Sequence, residues 1–307
     1  MEFYLPIAEM PVHVGLVLAM SAAVGFISGM FGIGGGFLMT PLLIFIGIPP
    51  AVAVASVAPQ IAAASTTGVL AHWRRRALDL RLGLVLLAGG VAGTLLGVLF
   101  FNAMRRVGRL EPIITLSYAA LLGAIGGFML VESVRAVLRA RNGAVVDPRR
   151  RPRPRRFGLP FRMRFPQSKV HMSVIPPLAV AAVIGFVGAV LGIGGGFLVV
   201  PALIYLFRIP TEVVVGTSLF QILFTAIAAT LFHAATNHSV DLILAMLLMF
   251  GGVFGAQFGA QAGKSLKGDS FRLLLALILL ATAVRFVLDM VVEPHEPFSI
   301  MLSEVLP

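Results

Sequence analysis

Two copies of a glycine-rich motif are the feature of this chain best suited to chemistry. Each copy reads Gly-Ile-Gly-Gly-Gly-Phe-Leu-x-x-Pro, at residues 32–41 and again at residues 192–201. Consecutive glycines each destabilise a helix by about 1 kcal/mol relative to alanine, so we expect the helix to break there and a shorter segment to start at Phe37 or Phe197. A helix broken inside a membrane exposes backbone N–H groups and the positive end of its dipole, which bind small anions. The substrate-binding candidates from these motifs are Gly34, Gly35, Gly36, Phe37, Gly194, Gly195, Gly196 and Phe197. Tight helix packing is the alternative role of these glycines.

Neutral polar side chains follow each motif at helical spacing. Ser56 and Gln60 are four residues apart, as are Thr217 and Gln221, so each hydroxyl shares a helix face with an amide. With Ser218, these groups are further substrate-binding candidates, because neutral donors can replace the water around an oxyanion and still release it. Hydrogen bonding between helices is the alternative role.

Four ionisable residues are candidates for gating or coupling. His72 and His233 occupy equivalent positions at the far ends of the two helices that carry these polar pairs. Each could act as a gate or proton relay, or simply anchor its helix at the membrane surface. Arg285 and Asp289 lie one turn apart in the last apolar segment, where pairing with each other is the simpler role.

Composition indicates the elements that must position these residues. Of the 307 residues, 58% are hydrophobic and only 12% are charged, and the mean hydropathy is +0.98. A soluble domain carries about 25% charged residues, so the chain is predicted to be a polytopic membrane protein. Because a helical span needs about 20 apolar residues, we expect an all-α fold of eight to ten helical segments. Continuous apolar runs mark several of these helices, at Leu82–Phe101, Ile113–Val131, Pro176–Leu191 and Leu273–Val284.

An internal duplication organises these helices. Residues 25–44 match residues 185–204 at a constant offset of 160, with 12 of 20 positions identical. The register continues through Gln60 and Gln221 and through Asp79 and Asp241, with shifts of one or two residues. Two homologous membrane halves with matching broken helices are typical of transporters. The distribution of basic residues favours inverted over parallel repeats.

A basic segment joins the two halves. Of the 24 lysines and arginines, 12 fall between Arg135 and Lys169, and the densest part is rich in proline. Such a segment is predicted to be a cytoplasmic connector that fixes orientation, or to dock on anionic lipid headgroups. No folded platform accompanies the arginines, so we expect no nucleic-acid partner. The predicted organisation is an N-terminal tail (1–11), a first membrane repeat (12–134), the basic linker (135–173), a second repeat (174–290) and a C-terminal tail (291–307).

Several classes of chemistry are not expected. The chain has no cysteine, and it lacks a phosphate-binding loop, a nucleophile motif and a zinc-binding His-Glu-x-x-His motif. We therefore predict no enzymatic activity, no metal site and no cofactor. The sequence does not predict an oligomeric state.

The paired motifs, the prolines that end them and the segment Gly216-Thr-Ser-Leu-Phe-Gln221 closely resemble the TauE/SafE sulfite exporter family. The resemblance covers nearly the whole chain except the linker and the tails. It implies transport of sulfite, sulfoacetate or other organosulfonates across the bacterial inner membrane. The first half departs from the pattern, because it reads Ala55-Ser-Val-Ala-Pro-Gln60 where the second half has the motif above. A membrane scaffold or lipid-binding protein that acts through the linker is the alternative function.

Overall fold

The computed structural model describes residues 2–31, 34–75, 77–141, 162–168, 170–262 and 268–291. Within these ranges the regular structure consists of ten α-helices, one π-helical turn and two short hairpins, which confirms the predicted all-α fold of eight to ten helical segments. The first five helices are α1 (Val14–Phe31), α2 (Gly36–Phe45), α3 (Pro50–Arg74), α4 (Leu80–Arg106) and α5 (Leu110–Arg141). The other five are α6 (Ile175–Leu191), α7 (Gly196–Pro201), α8 (Thr211–Asn237), α9 (Leu242–Ala262) and α10 (Gly268–Val291), and a π-helical turn (Ala202–Leu206) extends α7.

Six of these helices, namely α3, α4, α5, α8, α9 and α10, are long and apolar enough to cross a membrane. The other four are apolar but shorter. They are the helices that flank the two glycine motifs, since each motif divides one apolar stretch into two pieces. The protein is therefore a multi-pass membrane protein in which the glycine motifs interrupt two of the apolar stretches.

A short antiparallel hairpin precedes the first helix of each half. In the first, β1 (Glu2–Leu5) pairs with β2 (Met10–His13), and in the second, β3 (Arg162–Phe165) pairs with β4 (Val170–Ser173). The corresponding strands are separated by the same offset of 160 residues as the glycine motifs. Strands of four residues give too little alternation to predict from hydropathy. The second hairpin lies within the segment that the sequence assigns to the linker.

The chain divides into two compact units. One contains residues 1–114 and 145–267, and the other contains residues 115–144 and 268–307. In the smaller unit α5 packs against α10. The rings of Tyr118 and Phe286 stack there with centroids 5.5 Å apart. Gly126 allows the close approach, because a Cβ at this position would lie 3.1 Å from Leu279 Cβ.

Glycine stripes join the two halves of the larger unit. On α9, Cβ atoms at Gly251, Gly255 and Gly259 would collide with the backbone of successive turns of α1. The same relation joins α4 to α6 through Gly89, Gly93 and Gly97. In both pairs residue numbers rise together along the contact, so the two helices run parallel. These glycines, together with Gly25 and Gly29, therefore allow the close packing of the helices.

The helices that follow the breaks, α3 and α8, run antiparallel. Gly68 near the end of α3 contacts Leu219 near the start of α8, and one turn further along α3 His72 contacts Gly216. The start of α3 and the end of α8 also line one cavity together. Equivalent helices of the two halves are therefore neighbours of opposite direction.

A Gly25→Ala variant should test the α1–α9 contact. Its Cβ would overlap the carbonyl oxygen of Gly252 and lie 2.9 Å from Gly252 Cα, so the two helices must separate. We expect a loss of about 1–3 kcal/mol in stability, measured by thermal unfolding in detergent. Gly15→Ala in the same helix is the control, because no atom lies within 4 Å of its Cβ and its stability should be unchanged. Equal melting temperatures for the two variants would contradict the packing role.

Candidate functional site

The glycine motifs break their helices through left-handed backbone. Helix α1 ends at Phe31 and α2 begins at Gly36, while α6 ends at Leu191 and α7 begins at Gly196. The new segments start one residue before the predicted Phe37 and Phe197. The φ angles are +72° at Gly34 and +67°, +73° and +74° at Gly192, Gly194 and Gly195, respectively. Residues with a Cβ are strained in this region, so the breaks require glycine.

The two breaks meet each other in the interior. The rings of Phe37 and Phe197 stack with centroids 4.5 Å apart and planes 8° apart, and both side chains are buried. Gly36 lies so close to the other motif that a Cβ there would be 2.5 Å from the Gly192 carbonyl oxygen. Thr40 Oγ1 donates to the same oxygen over 3.4 Å. The predicted binding residues of the two motifs are therefore neighbours, although 160 residues separate them.

The predicted hydroxyl groups lie on α3 and α8 and bond to backbone. Ser56 Oγ accepts a hydrogen bond of 2.9 Å from the Asp241 N–H, and Thr217 Oγ1 accepts one of 3.1 Å from the Asp79 N–H. Ser218 Oγ donates to the Val214 carbonyl one turn earlier in its own helix. Each of the first two hydroxyls thus binds the start of a helix in the opposite half.

Both predicted glutamines are buried with an unsatisfied carbonyl. Gln60 Nε2 donates to Ser21 Oγ over 3.0 Å, whereas the Oε1 atoms of Gln60 and Gln221 find no partner among the described residues. Gln221 borders a small cavity together with Gly194 and Gly195. A buried carbonyl oxygen without a partner beside a cavity favours a water molecule or a ligand that can donate a hydrogen bond to it.

Two aspartates that sequence reasoning did not select join the halves. Asp79 Oδ1 caps α4 through the Leu82 N–H, and its Oδ2 accepts from the backbone N–H and hydroxyl of Ser168, in the hairpin of the other half. Asp241 repeats this arrangement, capping α9 at the Leu244 N–H and accepting from the Ile7 N–H of the first hairpin. Their matched positions in the duplication were the signal that could have identified them.

Two cavities lie on opposite sides of the breaks, and the duplication relates their linings. One has a volume of about 460 Å³ and the other about 20 Å³, which is room for about one water molecule. Matching positions line both cavities: Gly34, Ala64 and His72 line the large one, and Gly194, Thr225 and His233 line the small one. The walls of the large cavity therefore lie apart at one end of the α3–α8 pair, and the equivalent walls of the small cavity lie close together at the other end.

A hydrogen-bonded cluster closes the small cavity. His233 Nε2 lies 3.2 Å from the Ala189 carbonyl, and its Nδ1 lies 2.9 Å from Asn237 Nδ2. A neutral imidazole with its proton on Nε2 satisfies both contacts. Phe101 packs against this imidazole, edge on, at 4.9 Å between centroids. Arg105 Nη1 donates to the Asn237 carbonyl over 2.9 Å and to Ser239 Oγ over 2.8 Å, which ties the end of α4 to the end of α8.

The other predicted gating residues have different surroundings. His72 lines the large cavity, and its Nδ1 lies 2.9 Å from the Gly68 carbonyl. The predicted ion pair in α10 is confirmed, with Arg285 Nη2 and Asp289 Oδ1 3.3 Å apart and both side chains largely exposed. This pair belongs to the smaller unit. Within the described ranges, no three His, Asp or Glu side chains are grouped to hold a metal ion.

Known proteins provide an independent comparison. A family model described as sulfite exporter TauE/SafE matches residues 17–286. The chain is similar to the probable membrane transporter protein YjnA of Bacillus subtilis strain 168, with 27% identity over 275 residues that cover 88% of this chain and 98% of that protein. It is also similar to YunE of the same strain, another probable membrane transporter protein, with 26% identity over 77% of this chain and 85% of the relative.

A probable membrane transporter protein of Xylella fastidiosa strain 9a5c has 28% identity over 243 residues, which cover 75% of this chain and 77% of the relative. No solved structure matches the chain. The names of these relatives agree on membrane transport and specify no substrate.

Proposed function

Because the chain belongs to the sulfite exporter TauE/SafE family of membrane transporters, we propose that it is a secondary carrier of small sulfur-containing anions. Sulfite, sulfoacetate and other organosulfonates are the proposed substrates, and the bacterial inner membrane is the proposed location. Transport proceeds by alternating access, in which the two halves rock about a central site. The family description supports the substrate class.

The observation that carries this proposal is the pair of related cavities with unequal volumes. The large cavity, of about 460 Å³, and the small one, of about 20 Å³, have matching positions in their walls and both reach the glycine breaks. A carrier built from two inverted halves needs two such access paths and keeps one closed while the other is open. The antiparallel direction of α3 and α8 supports inverted rather than parallel repeats.

The proposed central site is formed by the two breaks. By helix geometry, the first backbone N–H groups of α2 and α7 have no carbonyl acceptor within their own helix, and both helices begin beside the stacked Phe37 and Phe197. Gln221 adds a side-chain amide beside Gly194 and Gly195. Ser56 and Thr217 hold the helices around this site through their bonds to the aspartates.

Transport by purified protein in liposomes tests the proposal. At least one anion from a panel of sulfite, sulfoacetate, taurine, isethionate and sulfate should enter faster than into empty liposomes. The proposal fails if none of the panel crosses above background while a cation or a neutral solute does.

A linker deletion separates the carrier from a scaffold that acts through its basic segment. Removal of residues 144–160 leaves the second hairpin and the Ser168 contact to Asp79 in place. A carrier should retain transport after this deletion, whereas a lipid-binding scaffold should lose its attachment to anionic vesicles. Loss of transport with normal folding would count against the carrier.

A further inference from the structure

The wall of the large cavity contains groups that the central site does not use. Ser65, Gly68 and His72 line the cavity from α3, and Arg75 lines it from the residue that directly follows this helix. Their spacing of three, four and three residues places them along one face of the helix. Gly34 of the first break lies in the same lining. This face therefore leads from the mouth of the cavity towards the glycine breaks.

The polar groups of this cavity are suited to an anion. Gln257 and Gln261, one turn apart on α9, join His72 and Arg75 in the lining. The described lining residues include two basic side chains and several neutral donors, but no Asp or Glu. The guanidinium of Arg75 can donate charge-assisted hydrogen bonds to an oxyanion, and imidazole and carboxamide N–H groups are further donors.

A buried hydroxyl without a partner gives a second, independent indication. Ser65 is 1% exposed, and its Oγ finds no hydrogen-bond partner among the described residues. Its neighbours in sequence differ, since Thr66 Oγ1 donates to Ala62 O over 2.9 Å and Thr67 Oγ1 donates to Ala64 O over 3.0 Å. A buried hydroxyl that leaves the usual back-bond unmade is available for a ligand.

These donors are confined to one end of the molecule. At the equivalent positions of the other half, Ala226 replaces Ser65, Thr236 replaces Arg75, and leucines 95 and 99 replace the two glutamines of α9. The duplication therefore retains the histidine on both sides, whereas the guanidinium and the two carboxamides of α9 occur in the lining of the large cavity only. This difference makes the large cavity the one better suited to an anion.

We propose that the wall formed by Ser65, His72, Arg75, Gln257 and Gln261 is an anion-binding vestibule that concentrates small sulfonate or sulfite oxyanions before they reach the glycine breaks. This inference rests on the proposed function and deepens it. The arginines beside the vestibule place it on the cytoplasmic side by the positive-inside rule. The vestibule thus loads substrate from the cytoplasm, as export requires.

The chain contains a natural reporter for this site. Trp73, its single tryptophan, directly follows His72 and is 52% exposed. Titration of sulfite and isethionate into the wild-type protein in phosphatidylcholine nanodiscs should change Trp73 fluorescence in a saturable manner. Transport in liposomes then gives KM and kcat for the same anions.

Matched arginine variants test the vestibule. Arg75→Gln should raise the fluorescence Kd and the transport KM about tenfold with little change in kcat, because one charge-assisted contact is lost. Arg74→Gln removes the same charge from an exposed neighbour outside the lining and should leave both constants within about twofold. Equal effects of the two variants would overturn the proposal in favour of general surface charge, and so would two unchanged variants.

Two variants that each remove one hydroxyl group provide the second test. Ser65→Ala should raise KM about threefold, since it removes a single neutral hydrogen bond to the anion. Thr66→Ala, in which only the back-bond to Ala62 is lost, should leave KM unchanged. An unchanged KM in Ser65→Ala would exclude the hydroxyl from the site.

A titration in anionic lipid distinguishes a transported anion from a lipid headgroup as the ligand of this site. Replacing part of the phosphatidylcholine by phosphatidylglycerol should leave the sulfite Kd of the wild type unchanged. If phosphatidylglycerol alone produces the Trp73 change and blocks sulfite, the site binds headgroups and the vestibule proposal fails. If the wild type transports normally and Arg75→Gln and Ser65→Ala leave Kd and KM unchanged, only the vestibule proposal is refuted. If sulfite binds but no anion is transported, the carrier function itself is refuted.

Discussion

Replacing Gly194 by alanine should reduce anion transport by at least about tenfold, although the change adds a single methyl group. The residue has a φ of +73°, where a Cβ is strained, and its Cβ would lie 2.7 Å from Ile61 Cγ2. Ile61 also packs against Gly36 of the other break, so a shift of this side chain disturbs both breaks. Initial transport rates in liposomes, normalised to folded protein on size-exclusion chromatography, measure the effect.

Gly108→Ala is the matched control for backbone strain. Gly108 has a φ of +72°, nearly the same as Gly194, but no atom lies within 4 Å of its Cβ. Its alanine variant therefore carries the same left-handed strain without the collision, and we expect normal transport. If both variants transport equally, the break at Gly194 has no role in binding or movement of substrate.

Gly195→Leu, at φ +74° and with its Cβ 3.2 Å from Ile184 Cγ2, should abolish transport.

In detergent-solubilised protein, where the reagent reaches both ends, single cysteines placed at equivalent positions of the two cavities should react with a charged thiosulfonate at very different rates. The chain has no native cysteine, so each label is unambiguous. Ala64→Cys lies in the cavity of about 460 Å³ and should react rapidly, whereas Thr225→Cys lies in the cavity of about 20 Å³. A closed state that opens at a cost of a few kcal/mol should slow labelling of the second site about 100-fold.

Weakening the closed end should reduce this difference in labelling rate. Arg105→Ala deletes the bonds to Asn237 and Ser239 that tie α4 to α8, so it should speed labelling of Thr225→Cys about tenfold. Arg106→Ala, at the exposed neighbouring position, is the control and should have no effect. Equal labelling of Ala64→Cys and Thr225→Cys in the parent protein would contradict alternating access with one path closed.

The helices and their breaks could be predicted because their causes are local. Apolar runs of about 20 residues require helices in a membrane, and α4, α5, α6 and α10 contain the four runs selected by hydropathy. Consecutive glycines locate the breaks to within one residue, since glycine adopts the left-handed backbone of Gly192, Gly194 and Gly195 without the strain that a Cβ brings. The glycine stripe on α4 was predictable from its spacing, because close helix contact requires small side chains at intervals of one turn.

The roles of the polar residues could not be predicted in the same way. A hydroxyl on a buried helix face is equally suited to a ligand and to a neighbouring backbone, and nothing near Ser56 or Thr217 in sequence indicates which it meets. Their partners Asp241 and Asp79 are 185 and 138 residues away. Similarly, His72 and His233 are equivalent in sequence but line cavities of very different volume.

Composition, apolar run length and glycine spacing were thus sufficient for the membrane class, the helical fold and the positions of the breaks, because each depends on the free energy of a short segment in lipid. The packing of α3 against α8, the aspartate contacts and the unequal cavities required the folded chain, since they depend on which distant segments become neighbours. The proposed central site lies where the two breaks meet, and that meeting is a property of the fold.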